Sequence, residues 1–239
     1  MKDMKMKRII ISALILLAAI FPMQIAAQWK VGATAGYDYN HYSIDTQYAY
    51  DLNFNNRGGA TVGVLGEYGF KDWFGLRAEL VYLQKGHKMD RLYNETSQQR
   101  RDYYLEFPIM ARFSFGSQKI RGFLHAGGYM GYWMTSHVKG VERSLTYNPD
   151  KQIEYEEEPN EIYSYKKSYV FDSRRDNRFD AGLLGGIGVS YRVLPQLEVE
   201  VEGRCYYSLT STTKDYMGYS KQPKYNTTVA IQAGIKYCF

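Results

Sequence analysis

Eight stretches of this chain alternate apolar and polar residues with a period of two, and the apolar side of all eight carries no charge. They span residues 29–39, 60–70, 74–85, 103–115, 120–134, 179–192, 197–210 and 225–239. Successive side chains of a strand point to opposite faces, so each stretch reads as a strand with one greasy and one polar face. In the seventh, Leu197, Val199, Val201, Cys205, Tyr207 and Leu209 oppose Glu198, Glu200, Glu202 and Arg204. The polar faces together carry eight bases (Lys30, Arg77, Lys85, Arg112, Arg121, Arg192, Arg204, Lys236) and eight acids (Asp38, Glu67, Glu79, Glu106, Asp180, Glu198, Glu200, Glu202).

A soluble β-sandwich has the same period, with its apolar faces joined in a core and its charges in water. Three features favour the inverted arrangement, with lipid outside and charge inside. The stretches run 11–15 residues, against about 5–6 for a usual soluble strand and about 9–11 for a tilted membrane strand. Aromatics sit near the strand ends of the apolar face, among them Trp29, Tyr37, Tyr68, Phe70, Phe74, Tyr82, Tyr103, Phe115, Tyr132, Tyr191, Tyr225 and Phe239, as in the girdles of outer-membrane barrels. The connections alternate long and short, at roughly 20, 3, 17, 4, 44, 4 and 14 residues, which separates long outer loops from short periplasmic turns. Lipid forbids an unpaired sheet edge, so the strands must close on themselves. The expected fold is all-β: an eight-stranded antiparallel up-and-down transmembrane β-barrel, whose interior is just wide enough for side chains to fill.

Composition agrees. Mean hydropathy is −0.46, too polar for a helical membrane protein. Tyr alone accounts for 24 residues, and two Cys exclude a disulfide scaffold. The net charge of +5, without a Lys/Arg stripe, gives no reason to expect nucleic acid. Residues 1–8 carry Lys2, Lys5, Lys7 and Arg8 against Asp3. The apolar run Ile9 to Phe21 and the small-residue end Ile25-Ala26-Ala27 follow. This is the pattern of a secretory signal peptide cleaved near Ala27. Four bases and one acid leave with it, lowering the net charge from +5 to about +2. The expected organisation is therefore a signal peptide, 1–27, and a barrel domain, 28–239, in the outer membrane of a Gram-negative bacterium.

Tyr104-Leu105-Glu106-Phe107-Pro108 is similar to the Leu-Glu-x-Pro signature of the PorT-like outer-membrane β-barrels of Bacteroidota, which the sequence resembles. Phe179-Asp180-Ala181-Gly182 followed by Gly185-Gly186-Ile187-Gly188 is similar to a second, and Arg204 to Thr210 to the Arg-Tyr-x-x-Gly-Leu-Thr run of their penultimate strand. Cys205 and Ser208 stand where Tyr and Gly are usual. The resemblance covers nearly the whole mature chain, through short motifs that mark the barrel rather than an activity. It implies a link to secretion assembly, since the family's named member takes part in type IX secretion. Phe239, after Ile235 and Tyr237, looks like the signal read by the barrel-assembly machinery.

The candidate site is a charged network inside the barrel: Arg77, Glu79, Glu106, Arg112, Arg192, Glu198, Glu200, Glu202, Arg204 and Lys236. Glu198, Glu200 and Glu202 stack on one face and repel, so they need cations such as Arg77, Arg204, Arg192 or Lys236. Gly63, Gly127, Gly182, Gly186 and Gly188 are expected to face inward and make room for bulky Arg and Tyr. His41, with Ser43 and Asp45, and His87 and His137 lie at outer strand ends and form the basis of a rim-enzyme alternative. No His spacing supports a metal, and no cofactor is expected. The loop 135–177 carries Glu154, Glu156, Glu157, Glu158 and Glu161, then Lys166-Lys167 and Arg174-Arg175, with interleaved Tyr. It reads either as a solvated loop, a hairpin extending past the membrane included, or as a partner-binding surface. Cys205 and Cys238 point to opposite faces and are expected to be free thiols. The expected function is structural or interactive, without catalysis; a rim enzyme and a narrow channel are the alternatives. The expected partners are outer-membrane lipid, the assembly machinery and a protein bound through the 135–177 loop.

Overall fold

Antiparallel pairing passes from strand to strand until it returns to the first. A computed structural model describes residues 29–44, 52–91, 96–143, 162–214 and 224–239, so the expected signal peptide lies outside the described residues. The strands are β1 (Trp29–Ile44), β2 (Leu52–Lys71), β3 (Phe74–Arg91), β4 (Ser97–Gly116), β5 (Ile120–Arg143), β6 (Ile162–Ser168), β7 (Phe179–Leu194), β8 (Leu197–Ser208) and β9 (Lys224–Cys238). Eight of them form a ring in the order β1-β2-β3-β4-β5-β7-β8-β9, and the β9–β1 ladder, from Lys30↔Cys238 to Ile44↔Lys224, closes it. Among the described residues β6 pairs with β5 alone, from His137↔Ser168 to Arg143↔Ile162.

All eight expected strands are present. Five of them run further at the outer end than the alternation indicated: β1 to Ile44, β2 from Leu52, β3 to Arg91, β4 from Ser97 and β5 to Arg143. The physical reason is a change of solvent. Beyond the lipid both faces of a strand meet polar surroundings, so Gln98-Gln99-Arg100-Arg101-Asp102 keeps its ladder without an apolar face. Within the 135–177 segment the hairpin reading holds. Its first part continues β5, its later part contains β6, and residues 144–161 lie outside the described residues.

The short turns join β2 to β3, β4 to β5 and β7 to β8 at one end. Gly116 holds φ +116° at the β4–β5 turn, a backbone state that other residues adopt only under strain. Aromatics gather at this end, where Trp29, Tyr68, Phe70, Phe74 and Phe113 form a chain of ring contacts with centroids 4.9–5.7 Å apart. At the other end Tyr82 stacks on Tyr103 at 5.8 Å. Between the two belts the outward residues are apolar and exposed, among them Val64, Leu80, Ile109, Ile187 and Ile231. From Phe74 to Tyr82, at about 3.3 Å per residue and a tilt of about 40°, the wall stands about 20 Å tall, near the apolar band of about 25 Å typical of such barrels.

Candidate functional site: the charged interior and the outer mouth

The period-two pattern turns every second side chain into the barrel, and the ring brings those side chains together. Lys236 Nζ lies 2.8 Å from both Glu198 and Glu200 and 3.2 Å from Glu67. Lys30 reaches Glu198 at 2.8 Å, and Arg112 reaches Glu200 at 3.0 Å. Arg77 bridges Glu79 and Glu200, and Arg204 bridges Glu79 at 2.7 Å and Glu202 at 2.8 Å. His125 Nδ1 completes the set at 2.8 Å from Glu202. The cluster thus joins Lys30, Arg77, Arg112, Arg204 and Lys236 to Glu67, Glu79, Glu198, Glu200 and Glu202. Of the stacked glutamates on β8, Glu198 and Glu200 are met by cations from other strands, and Glu202 by Arg204 of β8 itself and by His125 of β5. Nearer the outer end, Lys85 forms a separate cluster with Glu106 at 2.6 Å and Asp180 at 2.8 Å, under the rings of Tyr104 and Tyr129.

Of the ten residues proposed for the network, Arg192 stands apart. It pairs with Glu198 in the β7–β8 ladder but makes no ion pair with any described residue. Its position two residues from the end of β7 places it on the periplasmic lip, in the wall of a cavity of about 400 Å³ with Lys71, Arg121 and Glu198. Lys236, across from the same Glu198 on the β9 side, takes the role expected of both. Phe239 caps the chain with its ring edge against Tyr237, and its N–H donates to the Trp29 carbonyl at 3.1 Å.

Close approach explains two of the inward glycines. A Cβ on Gly186 would sit 2.2 Å from Glu202 Oε1, and one on Gly188 would meet the Phe123 ring at 2.4 Å. Cys205 is exposed, Cys238 is buried, and both are free.

The outer mouth was not visible as a unit in the sequence. Residues 169–178 turn back over it. The Tyr169 N–H donates to the Ser136 carbonyl, the Trp133 N–H to the Arg178 carbonyl, and Asp176 bridges to Thr213. Tyr169 and Phe171 pack on the cluster of Val81, Leu83, Tyr104 and Trp133. Arg100 is clamped between two rings: its guanidinium carbon lies 4.5 Å from Trp133 and 4.1 Å from Tyr169. Its Nε donates to Asp102 at 2.9 Å. His87 stacks on Tyr42 at 4.2 Å. It lies five residues beyond Tyr82, outside the lipid band. Burial and the nearby Arg100 and Lys224 push its pKa down to about 3, and burial pushes the Tyr42 hydroxyl up to about 12. The one usable sequence signal was the apolar triplet Tyr169-Val170-Phe171 ahead of a polar stretch.

The three rim histidines do not converge. His41 is on the outer surface and hydrogen-bonds Asn56 at 2.7 Å, His137 also faces out, against Tyr103, and His87 is buried inside the mouth. Asp45 lies outside the described residues. Among the described residues no group of three or more His, Cys, Asp or Glu is arranged to hold a metal.

A closed ring with an apolar exterior, two aromatic belts and a charged interior defines an integral outer-membrane β-barrel. Residues 23–214 match the family described as outer membrane protein β-barrel domain, and the chain belongs to that family, which places it in the outer membrane of a Gram-negative bacterium. A search of the curated proteins finds no match. Among solved structures, the chain is similar to Neisserial surface protein A at 15% identity and TM-score 0.44, covering 88% of this chain and 97% of that one. It is similar to the attachment invasion locus protein of Yersinia pestis at 13% identity and TM-score 0.41, covering 87% and 99%. It is also similar to the outer membrane protease OmpT of Escherichia coli at 11% identity and TM-score 0.46, covering 90% and 97%.

Proposed function

We propose that this protein is a non-enzymatic outer-membrane barrel whose charged interior is a structural plug and whose outer β5–β6 ribbon docks a protein partner. The PorT-like motifs extend the proposal to an origin in Bacteroidota and a role beside a secretion assembly, reached after cleavage of the signal peptide near Ala27. One observation carries the docking role. β6 stands beyond the lipid, paired with β5 along one edge, and among the described residues no strand pairs with the other edge of Ser164 to Ser168. An unpaired edge is a template for an added strand, with main-chain hydrogen bonds supplying affinity. Lys166 and Lys167 are exposed beside it, so the matching strand is acidic. Dispersal of the rim histidines and burial of the interior charges support the non-enzymatic part.

A photo-crosslinking residue at Ser164 tests the docking role in intact cells. The expected result is a discrete adduct that falls at least fivefold in the Lys166→Glu/Lys167→Glu variant while the amount of folded barrel is unchanged. Absence of an adduct, or an adduct indifferent to charge reversal, rejects docking through β6.

A further inference from the structure

We infer that the cavity beneath the 169–178 segment is a binding site for a soluble tetrahedral oxyanion, a phosphate or a small phosphate ester. The cavity has a volume of about 220 Å³, room for about seven waters at ~30 Å³ each. Three polar atoms in its lining residues have no hydrogen-bond partner: Arg100 Nη2, Trp133 Nε1 and His87 Nδ1. Trp133 is 3% exposed and His87 6%, so water outside the barrel does not satisfy them. Buried polar groups in folded proteins are nearly always paired, and three exceptions around one space point to something that fills it.

The charge balance gives the sign. Two acids line the cavity, and both are already engaged. Asp102 accepts from Arg100, and Asp176 accepts from the Tyr169 hydroxyl at 2.9 Å and from Arg175 at 3.2 Å. Lys224 has no ion-pair partner among the described residues. Its ammonium therefore adds an unmatched positive charge to a space already rich in donors.

The geometry gives the shape. His87 is on β3, Arg100 on β4, Trp133 on β5 and Lys224 on β9. Three donors thus come from adjacent strands, and the fourth from β9, opposite β4 in the ring. A carboxylate offers two oxygens in one plane, whereas a tetrahedral oxyanion offers oxygens to every side. His87 donates as its Nδ1–H tautomer, which its neutral state permits. Arg100 is held in advance by its two flanking rings and by Asp102, so little ordering is required when the anion enters. The strands wall the cavity from the lipid, so the ligand enters from the aqueous side.

The test uses the full-length barrel refolded in phosphate-free detergent micelles. The Trp133 indole N–H resonance, assigned with Trp133→Phe, is followed during titration with sodium phosphate at constant ionic strength. The expected result is a saturable shift that sodium acetate and sodium chloride do not reproduce. Lys224→Gln leaves the Arg100–Asp102 pair in place and should weaken the midpoint about tenfold. Arg100→Gln should abolish the shift, and the retained heat-dependent gel mobility of either variant shows that the barrel still folds. No saturable shift, or an equal shift with chloride, overturns the inference. A shift produced by phosphatidylglycerol bicelles but not by inorganic phosphate would assign the site to a lipid headgroup and overturn the soluble ligand.

Discussion

Arg77 shows what the interior network does for stability. Its side chain is fully buried and is held by Glu79 on its own strand and Glu200 across the barrel. A buried ion pair adds little net stability once desolvation is subtracted, but removal of one partner leaves an uncompensated buried charge. Arg77→Ala is expected to lower stability by about 3–5 kcal/mol, measured by urea unfolding from lipid vesicles. A loss below about 1 kcal/mol would mean that Arg112 and Lys236 neutralise Glu200 without it. His87 makes a prediction about pH. In the folded state its pKa is depressed to about 3, against an ordinary 6.5. Below pH 6.5 the unfolded chain therefore takes up the proton first. The stability contributed by the neutral imidazole is complete above pH 6.5 and is lost as pH falls toward 3. Imidazole NMR titration should show His87 still neutral at pH 5, and a midpoint near 6.5 would contradict its burial. At this scale the sequence was informative wherever a residue lay between the two belts. Burial there follows from alternation alone, as for Glu79 and Arg204. It failed for Arg192, because alternation says which face a residue takes and not how near the rim it sits.

Strands β1 to β5 outlast the lipid, and this is where sequence patterning stopped. The signal used to find strands is contrast between faces, and contrast requires a greasy solvent on one side. β6, Ile-Tyr-Ser-Tyr-Lys-Lys-Ser, has water on both sides and one partner strand among the described residues, so nothing in its composition separates it from a loop. The returning segment 169–178 escaped for the opposite reason. Its apolar content is Tyr169, Val170 and Phe171, too few to make a pattern, but the two rings are enough to close a mouth already lined by Trp133 and Tyr104. Phe171 meets Trp133 edge to face at 4.8 Å and also carries the guanidinium of Arg178 at 4.2 Å. Edge-to-face pairs contribute about 0.5–1.5 kcal/mol beyond the area they bury. Phe171→Ala is expected to release the segment alone. Trypsin should then cut at Arg174 or Arg175 at least tenfold faster, while the ring survives intact. Unchanged cleavage would show that the backbone bonds to Ser136, Thr212 and Lys214 suffice to hold it.

For the whole molecule, ring closure and interior filling are separate facts with separate consequences. Closure removes every edge within the lipid, and eight strands leave an interior that side chains can fill. Both followed from the alternation and from the succession of long and short connections. The way in which the filling is arranged could not be read in advance, because register and pairing across the barrel are set by the ring as a whole. The lower cluster, the Lys85 cluster and the rings of Tyr104, Tyr129 and Tyr206, which lie against Lys85 and Arg204, fill the space between the two mouths. Arg77, Glu106, Arg204 and Tyr206 are at most 1% exposed. The two mouth cavities share no lining residue, so neither continues into the other. The protein in planar bilayers is therefore expected to insert without a steady ionic current. Silence alone is ambiguous, so insertion is first established by a mobility shift between boiled and unboiled samples from the same proteoliposomes. With that shift present, resolved conductance steps at rest would mean that water threads the charged levels, and the interior would be a gated path in place of a plug. With the shift present and no steps, the buried charges serve to hold the wall together, and exchange with the environment is confined to the two mouths.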